Sequence, residues 1–323
     1  MIIIDIHAKE TPTLAECVSQ ELQQRHGVEC LRVDASAVSS FTSLRIAAVL
    51  KEHDADAIVC HRRKDLVGAA DAGKLTGRGG RRPLIIYVPA TEDDLTEKLT
   101  KSLLSSIDAL VVPTEADKER VAVPNEKIFV IEPSAWAAEQ NSKDSEDTEK
   151  ELGKEPAKAP KKLRISWLGA INEAERLDAL VNAVHTTAPQ AYAVHVYGTG
   201  SARFVMPVVR GARYMDGLDI TWHGKEYTDT EAIASTDVAI ATSHIPTREH
   251  LQLLAAGVAV LDSTAPDFAE KLTAIAADPA LLTQMSADAL ADYNARFTPA
   301  VAAEKWTALL NTLRSESHNQ SNI

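Results

Sequence analysis

DVAIATSHIPTREHLQLLAAGVAVL, residues Asp237–Leu261, holds one complete crossover unit of an α/β protein. Asp237–Ala241 is an apolar run of strand length, and Thr242-Ser243-His244-Ile245-Pro246 breaks it before a helix-length segment opens near Thr247. Leu251, Leu254 and Ala255 recur at helical spacing, Gly257 is a natural helix stop, and Val258–Leu261 reads as the next buried strand. Strand, loop, helix, glycine, strand is the signature of two parallel neighbours.

The same rhythm extends in both directions. Toward the N-terminus, Leu163–Gly169, Ala193–Tyr197 and Ile220–His223 read as strands, separated by helices near Ala174–His185, Ala202–Arg210 and Glu231–Ser235. Toward the C-terminus, Phe268–Leu313 reads as helical. Asp278-Pro279 opens one helix there and Thr298-Pro299 another, whose Ala302, Trp306, Leu309, Leu310 and Leu313 form one apolar stripe.

A comparable series fills the first half. Ile2–Ile6, Cys30–Val33, Ala57–Cys60, Leu84–Val88, Ala109–Val112 and Ile128–Ile131 read as strands, with amphipathic segments at Leu14–Arg25, Ser43–Glu52, Thr96–Ile107 and Glu115–Val121. Between the two series lies AAEQNSKDSEDTEKELGKEPAKAPKK, residues 137–162, whose one large apolar residue is Leu152. Such a segment cannot bury enough surface to offset its ordering entropy and reads as a charged linker. The expected organisation is therefore a Rossmann-like domain over 1–136, the linker over 137–162, a second Rossmann-like domain over 163–297, a last helix over 298–314 and a polar tail over 315–323.

The composition narrows the function classes. The chain has 323 residues, 45% of them hydrophobic and 25% charged, and a formal net charge of −12, which argues against a nucleic-acid partner. Cys17, Cys30 and Cys60 lack metal-ligand spacing and sit in apolar segments, so they read as reduced core thiols. Met1–Ile6 is too short and lacks the basic flank of a signal peptide, and no apolar run reaches membrane-span length. A cytoplasmic protein is expected.

Specific signposts carry a resemblance. Leu163–Gly169, Leu180–Ala183, His195–Gly200, Trp222–Gly224, Thr236–Ser243, Leu254–Val260, Ile275–Leu282 and Phe297-Thr298-Pro299 follow one another as in family 4 retaining glycosyltransferases. The first half resembles that family at Ile58–His61, Ile85–Pro89, Ser106–Glu115 and Lys127–Glu132. The resemblance implies a GT-B architecture, two doubly wound parallel-sheet domains facing a cleft, with the acceptor side on the first and the nucleotide-sugar side on the second. It also implies no metal and no cofactor beyond the donor substrate.

Residue by residue, the resemblance places donor-binding roles on Gly169, Gly198, Gly200 and Gln252, and an active protein would rely on Arg176, Lys225 and Arg248 as further donor-binding cations. Arg62, Arg63 and Lys64, at the carboxyl end of a predicted strand, are either acceptor or phosphate contacts or a solvated strand-end loop. Candidates for the catalytic role are His61 and His244. The two cations that hold the donor diphosphate in the family fall on Ala170 and Glu175, so Arg176 is the nearby substitute. Its two donor-binding acids fall on His244 and Gln252, and Glu249 lies nearly a helical turn from Gln252. The glycine-rich turn usual after the first strand is replaced by His7–Thr13, which has no glycine. His223 is either a nucleobase-lining or a strand-end structural residue. The implied function is transfer of a sugar, of the hexosyltransferase type, from a nucleotide-sugar to a glycan or lipid. The alternative is a catalytically degenerate protein acting as partner subunit of an active glycosyltransferase.

Overall fold

A computed structural model describes residues 1–7, 16–34, 42–76, 82–89, 95, 99–121, 123–137, 162–169, 171, 177–187, 189–224, 227–241 and 247–320. The chain divides into two compact units, Met1–Ser134 with Arg296–Ile323, and Ala135–Ala295. Residues 138–161, most of the segment read as a linker, lie outside the described residues, as do 77–81 and 172–176.

The first unit holds β1 (Ile2–His7), β2 (Glu29–Asp34), β3 (Ala57–Cys60), β4 (Leu84–Tyr87), β5 (Ala109–Val112) and β6 (Ile128–Val130). They pair in parallel in the order β2-β1-β3-β4-β5-β6. Every residue of β3, β4 and β5 is buried, which is why these strands read as unbroken apolar runs and not as alternating ones. Alternate side chains serve two cores. Ile3, Val59, Ile86 and Val111 face one that includes Val18 and Leu22 of α1 (Glu16–His26). Ile4, Ile58, Ile85 and Leu110 face the other, with Ile46 and Leu50 of α2 (Thr42–His53) and Leu66 and Ala69 of α3 (Arg63–Thr76). Two short helices, α4 (Lys101–Ser106) and α5 (Glu115–Arg120), are each N-capped by a threonine, Thr100 and Thr114.

Helix α3 has no counterpart in the sequence reading. Its RKDLVGAADAGKLT carries Gly68 and Gly73, which lower helix propensity and mask the periodicity. Both glycines are buried, and a Cβ on Gly73 would stand 3.5 Å from Ile85 Cδ1, so the small residues let the helix lie close on β4.

The second unit holds β7 (Leu163–Leu168), β8 (Tyr192–Tyr197), β9 (Asp219–Gly224), β10 (Val238–Ala241) and β11 (Ala259–Asp262), parallel in the order β11-β10-β7-β8-β9. Its helices are α6 (Leu177–Thr187), α7 (Ala202–Ala212), α8 (Asp229–Ala234), α9 (Arg248–Ala255), α10 (Phe268–Ala277) and α11 (Pro279–Asp292). Ile165, Trp167, Val194, Val196 and Ile240 pack with Leu180 and Val184 of α6 and Leu272 of α10 on one face. Leu168, Tyr197, Ala239 and Leu253 form a smaller core on the other.

The last helix, α12 (Pro299–Gln320), belongs to the first unit. Trp306, Leu309, Leu310 and Leu313 are buried in the core that holds Ile3, Val18 and Leu22. Glu132, just past β6, bonds Lys305 and lies 3.7 Å from Arg296. The helix does not stop at Arg314, where the polar tail was expected to begin. Arg314–Gln320 contains neither glycine nor proline, so nothing terminates it there.

Candidate functional site

Open parallel sheets bind ligands outside the carboxyl ends of their strands, where the strand order reverses. In the first unit the chain leaves β1 for β2 on one side and returns to β3 on the other, so the reversal lies between β1 and β3. In the second, β8 and β10 flank β7 on opposite sides, so it lies between β7 and β10.

The first reversal carries a buried acid–base pair. Asp5 is the fourth residue of β1 and is fully buried; His61 follows β3 and is 2% exposed. His61 Nε2 lies 2.8 Å from Asp5 Oδ1. With Nε2–H donating to the carboxylate, the imidazole is fixed in orientation and Nδ1 carries the lone pair, the arrangement of a positioned general base. Sequence reasoning found His61 and missed Asp5.

The basic residues after His61 divide. Arg62 forks onto Asp65, Nε to Oδ2 at 2.6 Å and Nη2 to Oδ1 at 2.9 Å, so its guanidinium is engaged at the start of α3. Arg63 is half-buried and Lys64 exposed on the first turn of the same helix. Cys60 is not a nucleophile: burial pushes its thiol pKa well up, and the nearby Asp65 and Asp5 add to the effect.

At the second reversal the backbone is zipped beyond the strand ends. Gly169 N donates to Tyr197 O at 3.0 Å, Ile171 N to Thr199 O at 3.0 Å and Gly198 N to Gly224 O at 2.8 Å. A Cβ on Gly198 would stand 1.8 Å from Gly169 O, and one on Gly200 1.8 Å from Ile171 O. Gly169, Gly198 and Gly200 are thus brought together, and the Gly-Thr-Gly is required by main-chain approach before any ligand is considered.

Helix α9 starts just past β10. Thr247 caps it, its Oγ1 accepting from His250 N at 3.4 Å. His250, not singled out in the sequence, is buried; Nε2 lies 3.0 Å from Ile240 O and Nδ1 3.2 Å from Thr247 Oγ1, which ties the helix start to the strand end. Burial lowers its pKa, so the neutral ring, donating from Nε2 and accepting at Nδ1, is the fitting form. Arg248 is exposed on the first turn. Gln252, one turn on, is 8% exposed, and its Oε1 has no hydrogen-bond partner among the described residues.

Toward the β9 edge, His223 Nε2 lies 3.1 Å from His195 Nδ1 and its ring stacks on Tyr197 at 4.2 Å. Arg176, Lys225 and His244, with Ala170 and Glu175, lie outside the described residues. Among the described residues, no three His, Cys, Asp or Glu side chains are grouped as metal ligands.

No protein-family model matches the chain, and no curated protein matches it significantly in sequence. Solved structures do. HepE from Anabaena in complex with UDP is similar at 13% identity and a TM-score of 0.70, over 96% of this chain and 99% of that one. The lipopolysaccharide outer core galactosyltransferase WaaB is similar at 12% identity and 0.66, over 97% and 99%. A glycosyltransferase from Rickettsia africae is similar at 12% and 0.65, over 97% and 98%. At such identities the likeness establishes the fold, which is GT-B along nearly the whole chain.

Proposed function

We propose that this chain is a glycosyltransferase of the family 4 retaining type, passing a sugar from a nucleotide-sugar to a glycan or lipid acceptor. The observation that carries the reading is the length-wide likeness to a protein solved with UDP-glucose, HepE, at 15% identity over 98% of this chain. The signposts from Leu163 to Pro299 support it independently.

In this reading the donor belongs to the second unit, at the β7–β10 reversal. Gln252 Oε1, buried and without a partner among the described residues, would accept from a donor hydroxyl, and an unpaired buried acceptor of this kind is costly until one arrives. Gly169, Gly198 and Gly200 hold the main chain where phosphates would approach, with Arg176, Lys225 and Arg248 as cations. The first unit would take the acceptor: His61, held by Asp5, would receive the hydroxyl proton at Nδ1, and Arg63 and Lys64 would hold an anionic portion of the acceptor. No metal is required in this scheme.

A second reading, a degenerate protein that partners an active glycosyltransferase, is favoured by one observation. Ala170, Glu175 and His244 stand where the resemblance places two cations and a carboxylate.

Calorimetry with UDP-, GDP- and ADP-glucose, with and without a chelator, tests both. Transfer predicts chelator-insensitive binding of one donor, weakened about five-fold in Gln252→Leu by the loss of roughly one hydrogen bond. It also predicts that His61→Gln keeps binding and loses turnover. The partner reading predicts no turnover in the wild type and co-elution with an active transferase. Donor binding indifferent to Gln252→Leu would overturn the donor placement.

A further inference from the structure

The end of β9 is held by side chains at the point where its backbone pairing lapses. β9 is an edge of its sheet, with β8 as its strand neighbour. Thr221 and Trp222 stand opposite His195 and Val196, but Gly224 stands opposite Tyr197, which leaves His223 bulged out of the ladder. Across this gap His195 Nδ1 lies 3.1 Å from His223 Nε2. The two ring centroids are 5.3 Å apart and the planes 23° from parallel, so the rings meet end to end through those nitrogens. The face of His223 rests on Tyr197, centroid to centroid 4.2 Å.

Two imidazoles that face each other in this way hold one proton between them and titrate as a pair. One nitrogen donates and the other accepts, and a first added proton on the outer nitrogen of the donor ring leaves the bond intact. A second has only the accepting nitrogen to go to. It sets two N–H groups and two cations against each other, so the pair must part to take it. Both rings are half-buried, within reach of solvent protons. The charged groups around them are already engaged: Arg164 and Asp237 fork onto each other, Asp219 is bonded by Lys162, and Glu231 closes a capping box with Thr228 at the start of α8. Burial first, then His223 and Arg164, hold the His195 pKa below the ordinary value, against a smaller pull from Asp219 and Asp237.

We propose that the His195–His223 pair is an acid-sensitive clasp on the glycine turn of the second unit. The carbonyl of Gly224, the residue after His223, accepts from Gly198 N at 2.8 Å. Gly198 opens the Gly198-Thr199-Gly200 segment, where Thr199 O in turn accepts from Ile171 N. When the pair takes its second proton, His223 leaves His195, the end of β9 parts from β8, and Gly198 loses its acceptor. The turn is then released while the rest of the sheet stays paired. One consequence rests on the glycosyltransferase reading: because this turn lies on the proposed donor side, donor affinity drops as the pH falls.

The test follows the Gly198 amide of the full chain by hydrogen exchange, corrected for the intrinsic effect of pH, from pH 7 to pH 5. The open clasp binds one proton more than the closed one, so below the ordinary histidine value of about 6.5 opening gains about ten-fold per pH unit. Gly198 protection should therefore drop about 30-fold by pH 5, while the amides of β4 in the first unit keep theirs. His223→Gln should abolish the drop, because a neutral amide can donate to His195 Nδ1 or accept from it and so keeps the contact in either state. His223→Phe, which cannot make the bond, should leave Gly198 poorly protected at both pH values. Circular dichroism checks that each variant is folded. Constant protection in the wild type, an equal drop in His223→Gln, or full protection in His223→Phe overturns the proposal. Calorimetry with UDP at pH 7 and pH 5 tests the consequence separately, with weaker binding at pH 5 expected in the wild type and not in His223→Gln. Equal binding at both pH values while Gly198 protection drops overturns the link to the donor side. A chain that binds no UDP at pH 7 counts against the donor reading, and the exchange experiment still decides the clasp.

Discussion

Gly200 and Gly224 are glycines for different reasons, and the difference is measurable. A Cβ on Gly200 would stand 1.8 Å from a main-chain oxygen that cannot move without unzipping the segment after β7, whereas Gly224 needs its φ of +68° but has open space around it. Gly200→Ala should therefore cost about 3 kcal/mol or more, and Gly224→Ala about 1 kcal/mol; equal shifts in urea midpoint would contradict this. Two histidines give the second unit a pH dependence. His195 and His250 both have pKa values lowered first by burial, His195 also by His223 and Arg164. A lowered folded pKa means that the unfolded chain takes up protons first. The stability these residues contribute is complete above the ordinary histidine value of about 6.5 and is lost as pH falls from there through the folded values. The urea midpoint of the second unit should fall between pH 7 and pH 5, and less steeply in His250→Gln. Of the site residues, His61 was legible because it follows a recognisable strand, and Gln252 through its spacing from Gly257 in the resemblance. Asp5 was not: a lone acid inside Ile2–Ile6 reads as strand, and its partner is 56 residues away.

At the scale of elements, strands were read well and helices unevenly. A fully buried parallel strand is an unbroken apolar run, so β3, β4 and β5 could hardly be missed, but α3 hides its helical period behind small residues chosen for close packing on β4. The apolar stripe of α12 was plain in sequence, and its helix end was not, because the residues after Arg314 supply no stop. Trp306 is 4% exposed among Ile3, Val18 and Leu22, so Trp306→Ala should destabilise the first unit by about 3–5 kcal/mol in denaturant unfolding. Glu132 anchors the same helix with less at stake. Burial raises its pKa, but the bond from Lys305 and the charges of Lys305 and Arg296 outweigh burial and hold it below the ordinary value. Because the folded pKa is lowered, the contribution is present above the ordinary glutamate value of about 4.5 and disappears as pH falls below it. Lys305 is over a third exposed, which screens the pair, so Glu132→Gln should cost about 0.5–1 kcal/mol at pH 7 and progressively less as the pH falls below the ordinary glutamate value. A loss that does not shrink on acidification would mean that packing, not charge, is the anchor.

For the whole molecule, alternation of strand and helix announced two doubly wound sheets, but strand order is not written in any local pattern. It is the orders β2-β1-β3 and β10-β7-β8 that put Asp5 beside His61 and the strand that leads into Gly169 beside the strand that precedes α9. The GT-B likeness then makes nucleotide binding a global test, because a ligand that binds only the folded chain raises its stability by an amount set by concentration over Kd. If the donor reading holds, the matching nucleoside diphosphate at 100 times its Kd should stabilise the wild type by about 2.7 kcal/mol. The gain should shrink in Arg176→Ala, since a charge-assisted hydrogen bond is worth about 1.5–3 kcal/mol. If the partner reading holds, no nucleotide shifts the wild type, and Ala170→Arg with Glu175→Lys should create a shift by supplying the two cations that the resemblance calls for. A full shift in the wild type that ignores Arg176 and Gln252 alike would place the phosphates away from the β7–β10 reversal, and both readings of the donor side would fall together.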